Sequence, residues 1–305
     1  DAASLAQNTA LTLAGGGNSK TATVNNLVGD IVATSLNSVL SVDLANAGDN
    51  GISITTGTYN TTIADSASGD TITVAAGAMA DNTTLTTSGA GSFTITGLSA
   101  DLANTATGTI TVTLEDDGAT VSSTISSSGS VGGVTVNSGT FDNTDTIVLA
   151  GTDTITVAAT ATTNVTTGTA SANVSETTGN TVSINASSMT DNNLLTTSGA
   201  GSVTVTGLGA NINNSASGTV NVTLADNVDG LYTVTSSTAI TVANGTAQDN
   251  DTITLEGAGN KTVTGLAADL SLGATNVGTT NVSSVAGNAL TITADAAAGS
   301  LTVDA

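Results

Sequence analysis

Valine, isoleucine and leucine alternate with threonine in short runs along most of the chain. Thr71-Ile72-Thr73-Val74, Phe93-Thr94-Ile95-Thr96 and Ile110-Thr111-Val112-Thr113-Leu114 keep the period of two that marks half-buried strands. The same cadence predicts strands over 85–87, 146–149, 154–157, 181–184, 203–205, 220–224, 232–234, 240–242, 252–255, 290–292 and 301–303. Nowhere do apolar residues recur at i, i+3, i+4 and i+7 for long enough to define a helix. Single helical turns near 100–104 or 267–270 are the most the pattern allows, and 99–108 reads as a polar connection rich in Ala and Asn. Gly-rich turns such as Ser88-Gly89-Ala90-Gly91 separate the strands, with Gly supplying positive φ. The pattern predicts an all-β chain.

The alternating segments also repeat. Residues 71–117 recur without a gap at 181–227, 110 residues on, with 26 of 47 positions identical. Shorter copies lie at 253–270 and 11–31. The shared core reads Leu/Ile-Thr-x-x-Gly-Ala/Gly-Gly-x-x-Thr-Val/Ile-Thr. Self-similarity of this kind predicts one elongated, repeat-built domain over 1–305, a parallel β-solenoid of irregular coils of about 20 residues each. Variable loops can protrude between coils without disturbing such a stack. Tandem immunoglobulin-like β-sandwiches are the alternative, because 110 residues is close to the length of one such domain. The uneven spacing of the four copies, the absence of Pro and a total of four aromatics (Tyr59, Phe93, Phe141 and Tyr232) weigh against them.

Composition narrows the function more than the fold. There is no Cys, His, Trp or Arg, and the two cations, Lys20 and Lys261, face 24 carboxylates for a formal net charge of -22. Without His or Cys, neither Ser-His nor Cys-His nucleophile activation can be built. A two-carboxylate glycosidase at Glu115 and Asp116 is formally open, yet the aromatics and cations that hold sugars are scarce. A non-enzymatic chain is expected. Nucleic-acid binding is excluded, because its affinity comes from Lys and Arg neutralising phosphates. No apolar run nears the roughly 18 residues of a membrane span, so no membrane insertion is expected.

So acidic a chain calls for a counter-ion, and outside the cell calcium is the natural candidate cofactor. Four turns offer hard oxygen ligands: Asp116 with Asp117, Asp142 with Asp145, Asp226 with Asp229, and Asp249 with Asp251. None follows the 12-residue EF-hand loop, and Asp is also a default turn residue. Lys20 and Lys261 occupy similar places in two copies of the repeat and are expected to meet carboxylates.

The phrases Asp-Thr-Ile-Thr-Val at 153–157, Asp-Thr-Ile-Thr-Leu-Glu-Gly-Ala-Gly-Asn-Lys-Thr-Val-Thr-Gly-Leu at 251–266 and Ser-Gly-Ala-Gly-Ser-Val-Thr-Val-Thr-Gly-Leu at 198–208 give the chain a family likeness. It resembles the repeat regions of large bacterial surface proteins, including S-layer proteins and giant adhesins exported by type I secretion. The resemblance spans most of the chain and is one of style. It implies an extracellular or cell-surface location, a structural subunit or an adhesin stalk, frequent calcium dependence, and attachment to a cell-surface glycan. The glycine-rich calcium nonapeptide of type I secreted proteins does not occur here. Neither Asp1-Ala-Ala-Ser-Leu-Ala nor Leu301-Thr-Val-Asp-Ala305 reads as a cap, so a segment of a longer chain, or head-to-tail assembly of copies, is expected.

Overall fold

The computed structural model describes residues 2–304 except 18–19, 45–50, 117, 119–121, 143, 178, 227–229, 249–250, 286–290 and 295–298. The described residues form strands and turns with no helix. They divide into two compact units, Asp1–Val157 and Ala158–Ala305.

Each unit is a parallel β-solenoid. Successive strands go alternately to two sheets, and each strand pairs in parallel with the strand two positions later. In the first unit Thr71–Ala75, Ser92–Leu98, Ile110–Leu114 and Val134–Asn137 stack in one sheet. Thr61–Asp65, Thr84–Gly89, Asp101–Ala106, Ser122–Ser127 and Thr146–Gly151 stack in the other. In the second unit one sheet holds Thr181–Asn185, Ser202–Leu208, Val220–Leu224, Ile240–Ala243 and Lys261–Leu266. The other holds Ala172–Glu176, Leu194–Gly199, Asn211–Asn214, Leu231–Ser236 and Thr252–Glu256. Immunoglobulin-like sandwiches, which need antiparallel sheets, are not formed.

The alternation explains the stack. Ile72, Phe93, Ile110 and Val134 point inward one above the other and are buried. Ser53, Thr73, Thr94, Thr111 and Thr135 form the matching outward row. β-Branched side chains suit both positions, since each packs against its own kind in the next coil. Coil length varies without breaking this register: Leu85 to Leu102 is 17 residues, whereas Ser122 to Thr146 is 24. The difference is taken up at the corners. The Ser-Gly-Ala-Gly turn is a tight one. A Cβ on Gly89 or Gly199, at φ 97° and 103°, would lie 1.7 and 1.8 Å from the Asp65 and Glu176 carbonyl oxygens of the preceding coil.

The 110-residue offset has a simple structural meaning. It separates the strands Thr71–Ala75 and Thr181–Asn185, which are eleven strands apart in chain order. Two strands make a coil, so the offset is five and a half coils, an odd number of half-turns. The repeat therefore encodes an order of strands and turns.

Two segments differ from the sequence expectation. The connection 99–108 contains the strand Asp101–Ala106, and 267–270 leads into the strand Asp269–Leu272. In the first, Leu102, Asn104 and Ala106 point inward. Ala and Asn are poor strand formers, but a stacked coil supplies cross-strand partners that override intrinsic preference. For Asn104 the partners are buried hydroxyls. Its Oδ1 accepts from Thr87 Oγ1 at 2.8 Å and its Nδ2 donates to Ser127 Oγ at 2.9 Å. The second unit repeats this ladder as Thr197, Asn214 and Ser236, at 2.8 and 2.9 Å.

Candidate cation-binding corner

Every acidic turn singled out in the sequence lies at a corner between the two sheets, and within each unit these turns share one corner. In the first unit 115–121 and 138–145 both lead from the sheet of Ile110–Leu114 to the sheet of Ser122–Ser127. In the second, 225–230 and 244–251 both lead from the sheet of Val220–Leu224 to that of Leu231–Ser236. Clusters about 25 residues apart in sequence thus become neighbours on successive coils. Asp117, Asp229 and Asp249 lie outside the described residues.

In the first unit the Asp116 N–H donates to Thr140 Oγ1 at 2.8 Å, tying the two turns together. The Asp116 carboxylate accepts from the Gly118 N–H at 2.7 Å. Asp142 Oδ1 accepts from both the N–H and the hydroxyl of Thr144, at 2.7 and 2.8 Å, and these bonds hold its carboxyl below the usual range. Asp145 is fully buried, and its Oδ2 accepts from the Asp142 N–H at 2.9 Å.

The second unit builds the same corner from different side chains. The Asp226 N–H donates to Thr246 Oγ1 at 3.0 Å, and Asp226 Oδ2 accepts from Gln248 Nε2 at 3.0 Å. Asp251, fully buried like Asp145, takes the Gln248 N–H on Oδ2 at 2.7 Å. The Tyr232 hydroxyl donates to the Ala225 carbonyl and stands 3.4 Å from Asp251 Oδ2. Burial first, then the charges of Asp251, Asp226 and Asp191, push the Tyr232 phenol far above its ordinary value. Negative field from three carboxylates therefore converges on this hydroxyl. Asp251 Oδ1 is buried and has no hydrogen-bond partner.

Among the described residues, no three or more acidic side chains are grouped closely enough to hold a metal ion by themselves. A cation at either corner would draw on one or two carboxylates, backbone carbonyls and water, a ligand set that suits calcium.

Three features escaped the sequence reading. Tyr232 lies in a strand as expected, and its hydroxyl also reaches the second corner, where it meets Ala225 and Asp251. Lys261 was expected to meet a carboxylate. Instead it is fully buried, stacked in register between Ile240 and Thr280, and its ammonium donates to the Gly257 and Gly259 carbonyls at 2.6 and 2.7 Å. Burial depresses its pKa to about 8, with the Glu256 charge working in the opposite direction. The third feature is the Thr-Asn-Ser ladder. The signal for the last two was present: Lys261 and Asn104 fall on the inward phase of their strands.

An open groove of about 430 Å³ in the second unit is bordered by Thr219, Thr241, Asn260 and Thr262, with no carboxylate in its lining. No helix among the described residues is long and apolar enough to cross a membrane. No family model, no curated protein sequence and no solved structure matches the chain.

Proposed function

We propose that this chain is a non-enzymatic structural subunit of an extracellular bacterial surface layer or filament, in which copies stack coil on coil. One observation carries the reading. Within each unit the strands pair in parallel from coil to coil, and inward apolar rows such as Ile72, Phe93, Ile110 and Val134 run through the stack. Each coil is thus a template for another, and a coil of a second copy presents the strand spacing and the apolar row that such a stack accepts. The missing catalytic residue types support the non-enzymatic half.

Sedimentation and electron microscopy of the chain at rising concentration, with calcium and with chelator, test this. Filaments or lattices are expected. Monodisperse monomers at high concentration in both conditions would overturn it and leave the spacer reading, an adhesin stalk that holds a binding tip away from the cell.

A further inference from the structure

We infer that the corner of the second unit formed by Ala225, Asp226, Tyr232 and Asp251 binds a divalent cation of the calcium class. The inference stands whether or not the chain self-assembles. Asp251 carries it. This carboxylate is fully buried, and its two oxygens are treated unequally. Oδ2 accepts the Gln248 N–H and faces the Tyr232 hydroxyl, whereas Oδ1 is buried with no hydrogen-bond partner. Burying an ionised carboxylate costs several kcal/mol unless it is paired or coordinated.

The chain has almost nothing with which to pair it. Lys20 is exposed and belongs to the first unit. The Lys261 ammonium is held by the carbonyls of Gly257 and Gly259. With no other Lys or Arg, the balancing charge has to come from solution or from a proton. The surroundings favour a metal. Asp226 brings a second carboxylate on the neighbouring coil, positioned through Gln248. Ala225 brings a carbonyl oxygen that the Tyr232 hydroxyl fixes in direction. Two carboxylates, one carbonyl and water make a hard-oxygen set, and calcium tolerates irregular geometry where magnesium demands a near-octahedron.

Tyrosine beside the site provides its own reporter, because an excited phenol transfers energy to a nearby terbium ion. Terbium is titrated into the full chain under tyrosine excitation, with calcium as competitor at constant ionic strength. We expect saturable sensitised emission that calcium displaces. Asp251→Asn should weaken apparent terbium affinity at least tenfold, and the exposed Asp226→Asn should weaken it less. Tyr232→Phe should remove the emission but keep the calcium-induced rise in thermal midpoint, whereas Tyr59→Phe and Asp145→Asn should change neither. Emission that survives both Tyr232→Phe and Asp251→Asn would place terbium on the general acidic surface and overturn the inference. So would an Asp251→Asn chain that is more stable than the parent and as responsive to calcium, since that marks Asp251 as a buried neutral acid. Should Asp251→Asn fail to fold by circular dichroism, Asp226→Asn and Tyr232→Phe decide the matter alone.

Discussion

The coils from Thr71 to Val157 and those from Thr181 to Val263 are two versions of one design that solve the same packing problem with exchanged parts. Their strands correspond one to one, and the polar ladder Thr87-Asn104-Ser127 corresponds to Thr197-Asn214-Ser236. Two exchanges separate them. At the acidic corner the first version pairs Phe141 with Ser123, and the second pairs Ala247 with Tyr232 at the equivalent places. All four are buried. One ring per corner is retained, but it enters from the turn in one case and from the strand in the other. Past the ladder, Asp153 and Ile155 in the first version become Gly259 and Lys261 in the second. Asp153 accepts from Ser127 Oγ and from the Gly129 and Ser130 N–H groups, at 2.7 to 2.9 Å. Lys261 instead donates to Gly257 and Gly259. The first ladder ends on the Asp153 carboxylate, whereas in the second Ser236 Oγ donates to the Thr238 carbonyl and the cation nearby in sequence is held by backbone carbonyls. The same stretch of the coil carries an anion in one version and a cation in the other.

The largest effect should come from breaking the aromatic exchange. Tyr232→Ser should destabilise by about 3–5 kcal/mol, as ring deletions in packed interiors do. If the two rings fill equivalent space, adding Ala247→Phe should recover roughly half of that loss, a positive coupling of about 1.5–2.5 kcal/mol in a double-mutant cycle. Chemical denaturation of the single and double variants measures it. Additive losses would show that the corners are not equivalent.

Truncating the ladder comes next. Asn104→Ala and Asn214→Ala each strand buried hydroxyls, at about 1–3 kcal/mol for each group left unsatisfied. Asn214 Nδ2 is within 2.9 Å of both Ser236 Oγ and Thr238 Oγ1, while Asn104 Nδ2 has Ser127 Oγ at 2.9 Å and a 3.5 Å contact to the Ala106 carbonyl. Asn214→Ala is therefore expected to be the more damaging by about 1 kcal/mol. Equal losses would show that the extra contact in the second version adds nothing.

These exchanges also show what the sequence could and could not convey. Alternation of Ile72, Val74, Phe93 and Ile95 with Thr marked the strands, and the internal repeats pointed to parallel coils. The Gly-Ala-Gly turns were legible because only Gly tolerates the close carbonyl behind Gly89 and Gly199. The partners of Asp116, Asp142, Asp226 and Asp251 were not legible. They depend on how many residues each corner absorbs, between 17 and 24 per coil in the measured cases. The strand Asp101–Ala106 was hidden for a related reason. Its Asn104 takes one bond from the nearby Ala106 N–H, but its side-chain partners are Thr87 and Ser127, 17 and 23 residues away. A buried polar residue reads as a loop residue until its partners are known.

The smallest effect tests the charge exchange through pH. Lys261 has its pKa depressed to about 8 in the fold, below the ordinary lysine value of 10.5. Between these values the unfolded chain binds more protons than the folded one, so stability must rise with pH. Burial of a charged amine is then an opposing term at neutral pH that fades on deprotonation. A gain of about 1–2 kcal/mol from pH 7 to 9.5 is expected, and Lys261→Met should flatten it. The window is otherwise quiet, because the chain has no His or Cys. Above about pH 10 the sign reverses, since the unfolded chain ionises tyrosine while Tyr232 stays protonated in the fold. The first version should respond at the other end of the scale. Burial opposes ionisation of Asp153, but the Ser130, Ser127 and Gly129 hydrogen bonds outweigh it and hold the carboxyl below its ordinary 3.8. The stabilisation by Asp153 is present above that value and is lost as pH falls through the folded pKa. Asp153→Asn should therefore blunt the acid limb and Lys261→Met the alkaline one, each leaving the other intact. If either substitution altered both limbs, the assignment of one limb to each charge would fail.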